Sequence, residues 1–148
     1  MSMFSAFNIN ASGLTAQRYR MDIISENVAN ANTTRTADGT PYRRKVVTFA
    51  QKADRTNFSK VLGKVTHGYS GQGVKVDAVG EDYVTPMNMA YDPSHPDADE
   101  NGYVTYSNVN IITEMTNLID ASRAYEANST AFSASKSMAL QGLELGKQ

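Results

Sequence analysis

Hydrophobic residues near the start of the chain recur at a helical interval. Phe7, Leu14, Met21 and Val28 lie seven residues apart, Ile24 and Ala31 fall at the intervening positions, and polar Asn10 and Gln17 interrupt the series. That spacing predicts an amphipathic helix over Phe4 to Asn32, a stretch without proline and with Gly13 as its one glycine. The helix is expected to end in "NANTTRTADGTP", where turn formers accumulate. A second series occupies the other end. Ile111, Leu118, Tyr125, Phe132 and Ala139 repeat at seven, and Met115, Leu140 and Leu143 widen the stripe. No proline interrupts Val109 to Leu145, so one helix on the order of 50 Å is predicted, with Ser107 or Asn108 as its cap.

The C-terminal helix carries a second apolar side. At about 100° per residue, Ala124, Ala127, Ala131, Ala134, Met138 and Leu145 fall opposite the main stripe. Between Met115 and Leu143 the charged residues are Asp120, Arg123, Glu126 and Lys136, fewer than a solvated helix normally carries. One partner helix covers one stripe, so this pattern predicts a helix buried on two sides in a multi-chain bundle.

The middle of the chain alternates on a shorter period. "RRKVVTFAQ", "GVKVDAVG", "MNMAY" and "YVTY" are short β-branched or aromatic runs separated by turn formers, and Asn101-Gly102 marks a tight turn before the last. The predicted fold class is α+β: long N- and C-terminal helices pair as an antiparallel coiled coil around a small β-containing insertion. The expected division is a discontinuous helical assembly domain, 1–33 with 107–148, and a β-rich insertion with extended loops, 34–106. Variable loops are expected from Lys52 to Gly71.

Composition narrows the function. The 148 residues carry a formal net charge of -1 with scattered lysines and arginines, which argues against a nucleic-acid partner. No run approaches the roughly 20 apolar residues of a membrane helix, and the N-terminus lacks the pattern of a cleaved secretory signal. Cysteine is absent, which excludes disulfides and thiolate sites.

Candidate chemistry is sparse. "DADENGYVTYSN", Asp97 to Asn108, begins like a calcium loop, but its twelfth position is Asn108 where a bidentate glutamate is required. His67 and His95 are far apart and lack a ligand cluster, and "GYSGQG" reverses the dinucleotide fingerprint. Arg43, Arg44 and Lys45 read as the solvated edge of a strand. No cofactor, catalytic residue, metal ligand or small-molecule substrate is expected.

The motif "SENVANANTTRT", Ser25 to Thr36, resembles the N-terminal signature of bacterial flagellar rod, hook and related axial proteins, which centres on Asn27, Ala29, Asn30, Asn32 and Thr33. "YRRKVVTF", "YDPSHPDADENGYVTYSNVN" and "EMTNLIDASRAYEANSTAF" make the likeness closest to the proximal-rod subunits of that family. The resemblance implies a structural, non-enzymatic subunit that passes unfolded through the flagellar type III export apparatus. Its terminal helices would then pack with its own copies and other rod subunits into a hollow tube, the drive shaft from motor to hook. The rod's base at the membrane ring and export gate is a further implied partner, and the basal body the implied location. Residues expected at the assembly contacts are Phe7, Leu14, Met21, Ile24, Asn27, Val28, Asn30 and Asn32 on the first helix. On the second they are Ile111, Met115, Leu118, Tyr125, Ala127, Asn128, Ala131 and Phe132. Another axial member, and a soluble helix-pair binding module, stay open as alternatives at this stage.

Overall fold

The computed structural model describes residues 3–52 and 71–146. Helix α1 spans Met3–Ala29 and helix α2 spans Ile111–Leu145. Between them come β1 (Lys45–Gln51), β2 (Val74–Glu81), β3 (Asn88–Tyr91) and β4 (Tyr103–Tyr106), so each predicted strand run holds one strand. The chain is α+β, with two long helices flanking a small antiparallel β region. Among the described residues no helix is long and apolar enough to cross a membrane.

The α2 cap differs from the expected one. Asn110 Oδ1 accepts from the N–H of Ile112 at 3.0 Å and of Thr113 at 3.2 Å, so Asn110 satisfies the free donors of the first turn. Ser107 and Asn108 lie before the helix and are buried in other bonds.

The strands form two ribbons, β1 with β2 and β3 with β4. The first is antiparallel, bracketed by Lys52 N–H to Gly73 C=O at 2.9 Å and Asp82 N–H to Arg44 C=O at 2.8 Å. In the second, Asn88 faces Tyr106 and Tyr91 faces Tyr103. Val104 is fully buried on one side of this hairpin, while Met89, Tyr91 and Tyr103 are exposed on the other. Gly102 permits the turn into β4 with φ at +79°. Asp99 organises that turn, its Oδ1 accepting from the N–H of Asn101 at 2.9 Å and of Tyr103 at 2.8 Å.

Two compact units divide the chain. One comprises Met1–Arg18, Phe49–Asp77 and Ser122–Gln148; the other comprises Tyr19–Thr48 and Ala78–Ala121.

In the first unit the helices pack in antiparallel order: Phe7 meets Phe132 edge-on with ring centroids 5.1 Å apart, and Gly13 lies against Asn128. From Tyr125 onward the enclosed or half-buried side chains of α2 are spaced by threes and fours, at Tyr125, Asn128, Phe132, Ser135 and Ala139. Alternate members are small or polar, which lets the backbones approach closely. Gln17 Oε1 is buried without a hydrogen-bond partner among the described residues. Ser12 joins α1 to the ribbon, its Oγ accepting from Val74 N–H at 3.1 Å.

In the second unit Ala31, Tyr42 and Val109 form a buried apolar cluster, and Ile24, Val104 and Ala121 are also enclosed. Around them lies an unusual share of buried polar groups: Asn27, Ser107, Asn108 and Glu114.

Candidate functional site

Asn27 is 1 % exposed and uses all its hydrogen-bonding capacity within the second unit. Its Oδ1 accepts from Lys45 N–H at 2.8 Å and from the Tyr42 hydroxyl at 2.9 Å. Its Nδ2 donates to the Lys45 carbonyl at 2.9 Å and to Glu114 Oε2 at 3.0 Å. The amide thus stands where a neighbouring strand would, pairing with both backbone groups of the first residue of β1.

Glu114 is equally enclosed, at 1 % exposed. Arg44 donates to its Oε1 from Nε at 2.9 Å and from a terminal nitrogen at 2.7 Å, and Asn117 adds a bond at 3.3 Å. A buried carboxylate is costly unless charge and hydrogen bonds compensate it, and here both do. Asp82 lies 3.7 Å from the other end of the same guanidinium. The backbone N–H and hydroxyl of Thr85, then Val84 N–H and Arg44, hold the Asp82 carboxyl below its ordinary range. Burial, reinforced by Glu26, Glu114 and Glu81, pushes the Tyr42 phenol up to about 12.

Asn108 supplies the second buried amide. Its Oδ1 accepts from Arg44 N–H at 2.8 Å, and its Nδ2 donates to the carbonyls of Asp82 at 2.9 Å and Thr85 at 3.2 Å. The twelfth position of the calcium-like loop is therefore an internal strut. Asp97 accepts from the Thr34 hydroxyl at 2.8 Å and lies 3.7 Å from Arg35. Among the described residues no group of three acidic or imidazole side chains is placed to hold a metal ion. His95 accepts from Asp97 N–H at 3.1 Å and stacks edge-on with Tyr106; His67 lies outside the described residues.

The basic cluster is not a solvated strand edge. Arg44 reaches Glu114, Lys45 pairs with Glu26, and Arg43 lies 4.5 Å over the Tyr83 ring. The partners of these side chains, Glu114, Glu26 and Tyr83, come from distant parts of the chain, which is why local composition misjudged them.

The sequence-predicted contact residues separate by burial. On α1, Ile24 and Asn27 are buried and Phe7, Leu14, Met21 and Val28 are half-buried; just past its end Asn30 is half-buried and Asn32 exposed. Asn30 caps its own helix end, donating to Glu26 C=O at 3.0 Å and accepting from the Thr33 hydroxyl. On α2, Leu118, Tyr125, Asn128 and Phe132 face inward, whereas Ala127 and Ala131 are exposed. Ile111 and Met115 are exposed too, and so are Leu140 and Leu143, so these four do not belong to the inward stripe. Their place is taken by Glu114, Ala121, Asn128 and Ser135, whose small or polar side chains give no hydrophobic signal. On the outward side stand Ile112 at 78 % exposed, Ile119 and Met138, with the alanines between.

Two family models match the chain: "Flagella basal body rod protein" over residues 7–35 and "Flagellar basal body rod FlgEFG protein C-terminal" over residues 100–145. They cover the elements that carry Asn27 and Glu114. Similarity to known proteins extends further. The flagellar basal-body rod protein FlgC of Borreliella burgdorferi is 46% identical over 93% of both chains. That of Bacillus subtilis is 44% identical over 99% of this chain and all of its own, and that of Salmonella typhimurium 38% over the same shares. The chain belongs to the FlgC family of flagellar basal-body rod proteins. Members of the FlgC family are structural proteins of the flagellar basal body rather than enzymes, and this chain works in assembly with other rod components. For a FlgC-family chain, the geometry to explain is therefore packing, not catalysis.

Proposed function

We propose that the chain builds the proximal part of the flagellar rod, with residues 1–33 and 107–148 as the assembly domain and 34–106 as a β-rich insertion. The observation that carries this reading is the outward side of α2, where Ile112, Ile119 and Met138 are exposed beside Ala127, Ala131 and Ala134. A free monomer rarely leaves such a row to water, and small residues within it suit close helix contact. The inward residues Phe7, Leu14, Ile24, Leu118, Tyr125 and Phe132 hold the subunit's own helix pair. Ala127 and Ala131 meet the neighbour, through a heterologous contact of the kind that propagates a helix instead of closing a ring. The subunit reaches its site unfolded through the type III export apparatus. There it joins copies of itself and other rod subunits above the membrane ring and export gate, and transmits torque.

Electron cryo-microscopy of isolated basal bodies tests the reading. The expected map has this chain in the proximal rod with Ala127 and Ala131 against another subunit. A map in which that side of α2 faces open solvent refutes the contact, and one without the chain in the rod refutes the location.

A further inference from the structure

Asn101 and Gly102 form the one Asn-Gly pair in the chain. Every other asparagine precedes a residue with a side chain, in several cases a β-branched one such as Val28, Val109 or Ile111. The pair is intrinsically labile, because a following residue without Cβ leaves its backbone nitrogen free to approach the asparagine side chain. In that reaction the Gly102 nitrogen loses its proton to hydroxide and attacks Cγ of Asn101. An N–Cγ bond forms, the Cγ–Nδ2 bond breaks, and ammonia leaves behind a succinimide ring. Water then opens the ring at either carbonyl, giving aspartate or isoaspartate; the net change is one water consumed and one ammonia released. In isoaspartate the backbone runs through the former side chain and is one methylene longer.

The fold occupies the backbone groups that this chemistry needs. Gly102 N–H donates to Asp99 C=O at 3.0 Å, so the nucleophile is committed. Asn101 N–H and Tyr103 N–H donate to Asp99 Oδ1 at 2.9 and 2.8 Å, and Asp99 N–H donates to Tyr103 C=O at 2.9 Å. Gly102 C=O accepts from Asp92 N–H at 2.9 Å. The glycine is also hemmed in: a Cβ built on it meets the Tyr91 ring at 3.0 Å and Pro93 at 3.2 Å. Closing the ring therefore means breaking several of these bonds at once, in a turn with little room to distort.

We infer that Asn101 is a self-modification site, open in the unfolded chain and closed in the folded one, and that isoaspartate formed there bars the chain from rebuilding the β3–β4 hairpin. The bar follows from register, which the turn sets. An added methylene between residues 101 and 102 moves Gly102 C=O off Asp92 and Tyr103 N–H off Asp99, next to the rung where Tyr91 faces Tyr103. The chemistry does not depend on the proposed function, although a chain exported unfolded would carry the bond open until it folds.

The full chain is incubated in mildly alkaline buffer, native and in guanidinium chloride, and peptide mapping by mass spectrometry follows deamidation and isoaspartate at residue 101. The unfolded rate is expected to exceed the folded rate about tenfold or more, a factor equal to about 1.4 kcal/mol of protection. Equal rates overturn the inference, and so does an unfolded chain in which Asn101 reacts no faster than the other asparagines. Asp99→Asn keeps an accepting oxygen and should leave the folded rate low, whereas Asp99→Ala should raise it several-fold. A folded rate that Asp99→Ala leaves unchanged shows that this turn is not the guard. Chains purified with isoaspartate at residue 101 are then returned to native buffer. Their Asp92 and Tyr103 amides are expected to lose hydrogen-exchange protection, and protection equal to the parent's overturns the bar on refolding.

Discussion

Gly13 lies beneath the side-chain amide of Asn128, so close that a Cβ built on residue 13 meets Oδ1 at 2.7 Å and Cγ at 3.0 Å. Replacing a helical glycine with alanine normally stabilises by about 1 kcal/mol. Here the new methyl must displace Asn128, whose Nδ2 donates to Ala124 C=O at 2.8 Å, a bond worth about 1 kcal/mol. Gly13→Ala is therefore expected to be neutral or destabilising in the parent and stabilising in an Asn128→Ala background. Denaturant titration of the four chains should return a coupling of about 1 kcal/mol or more. Strict additivity would show that Asn128 moves aside freely.

Asn27→Ala leaves Lys45 N–H and C=O, the Tyr42 hydroxyl and one oxygen of Glu114 without their partner. Each buried group stranded in this way costs roughly 1–3 kcal/mol, reduced where water enters. A net loss of about 3 kcal/mol is expected from urea midpoints at unchanged m. A loss below about 1 kcal/mol would mean that water replaces the amide with little penalty.

Tyr42 predicts an alkaline limit. Its folded pKa is raised from 10.0 to about 12, so the folded state holds the phenolic proton more tightly than the unfolded chain does. The contribution is complete below pH 10, falls as pH rises towards about 12, and is constant beyond. Thermal midpoints measured across that window should drop more in the parent than in Tyr42→Phe. Parallel curves for the two chains would contradict the assigned burial.

Two substitutions separate the sides of α2. Ala131 is exposed in the free chain, so Ala131→Glu should leave circular dichroism and expression near normal. In a close helix contact the same charge is buried without a partner, and rod assembly and motility should be lost. Normal swimming with rods of ordinary composition would place this side in solvent. Phe132→Ala instead removes the ring packed on Phe7, and should weaken the helix pair by about 2 kcal/mol at its half-burial.

Calcium should not bind tightly. Asn108 is committed to Arg44, Asp82 and Thr85, and Asp99 to the turn before β4. Calorimetry is expected to show no saturable heat below millimolar calcium, and a micromolar stoichiometric site would demand that the loop rearrange.

Local signals located the regular elements because strands and helices are written in nearest neighbours. "KVVTFAQ" and "NMAY" alternate or cluster within one run, and β1 and β3 lie there. The face of α2 was only half legible. Leu118, Tyr125 and Phe132 announced themselves by hydrophobicity, whereas Ala121 and Ser135 pack because they are small, and Met115 is apolar without being inside. The polar node was out of reach, since Asn27 finds Lys45 18 residues away and Glu114 87 residues away. One clue lay in the stripe itself: Glu114 stands four residues before Leu118, on the inward side of a helix with few charges.

The outward side of α2 also sets how the chain must be supplied. Of the enclosed hydrophobic residues among those described, three are alanines, while Ile112, Met138, Leu143 and Leu145 stand open to water. With a formal net charge of -1, electrostatic repulsion does little to keep copies apart. Such a chain is expected to stockpile badly, its copies associating through that side as their concentration rises. Synthesis is then expected to run at the pace of consumption, with the pool of free subunit limited by solubility before it is limited by expression.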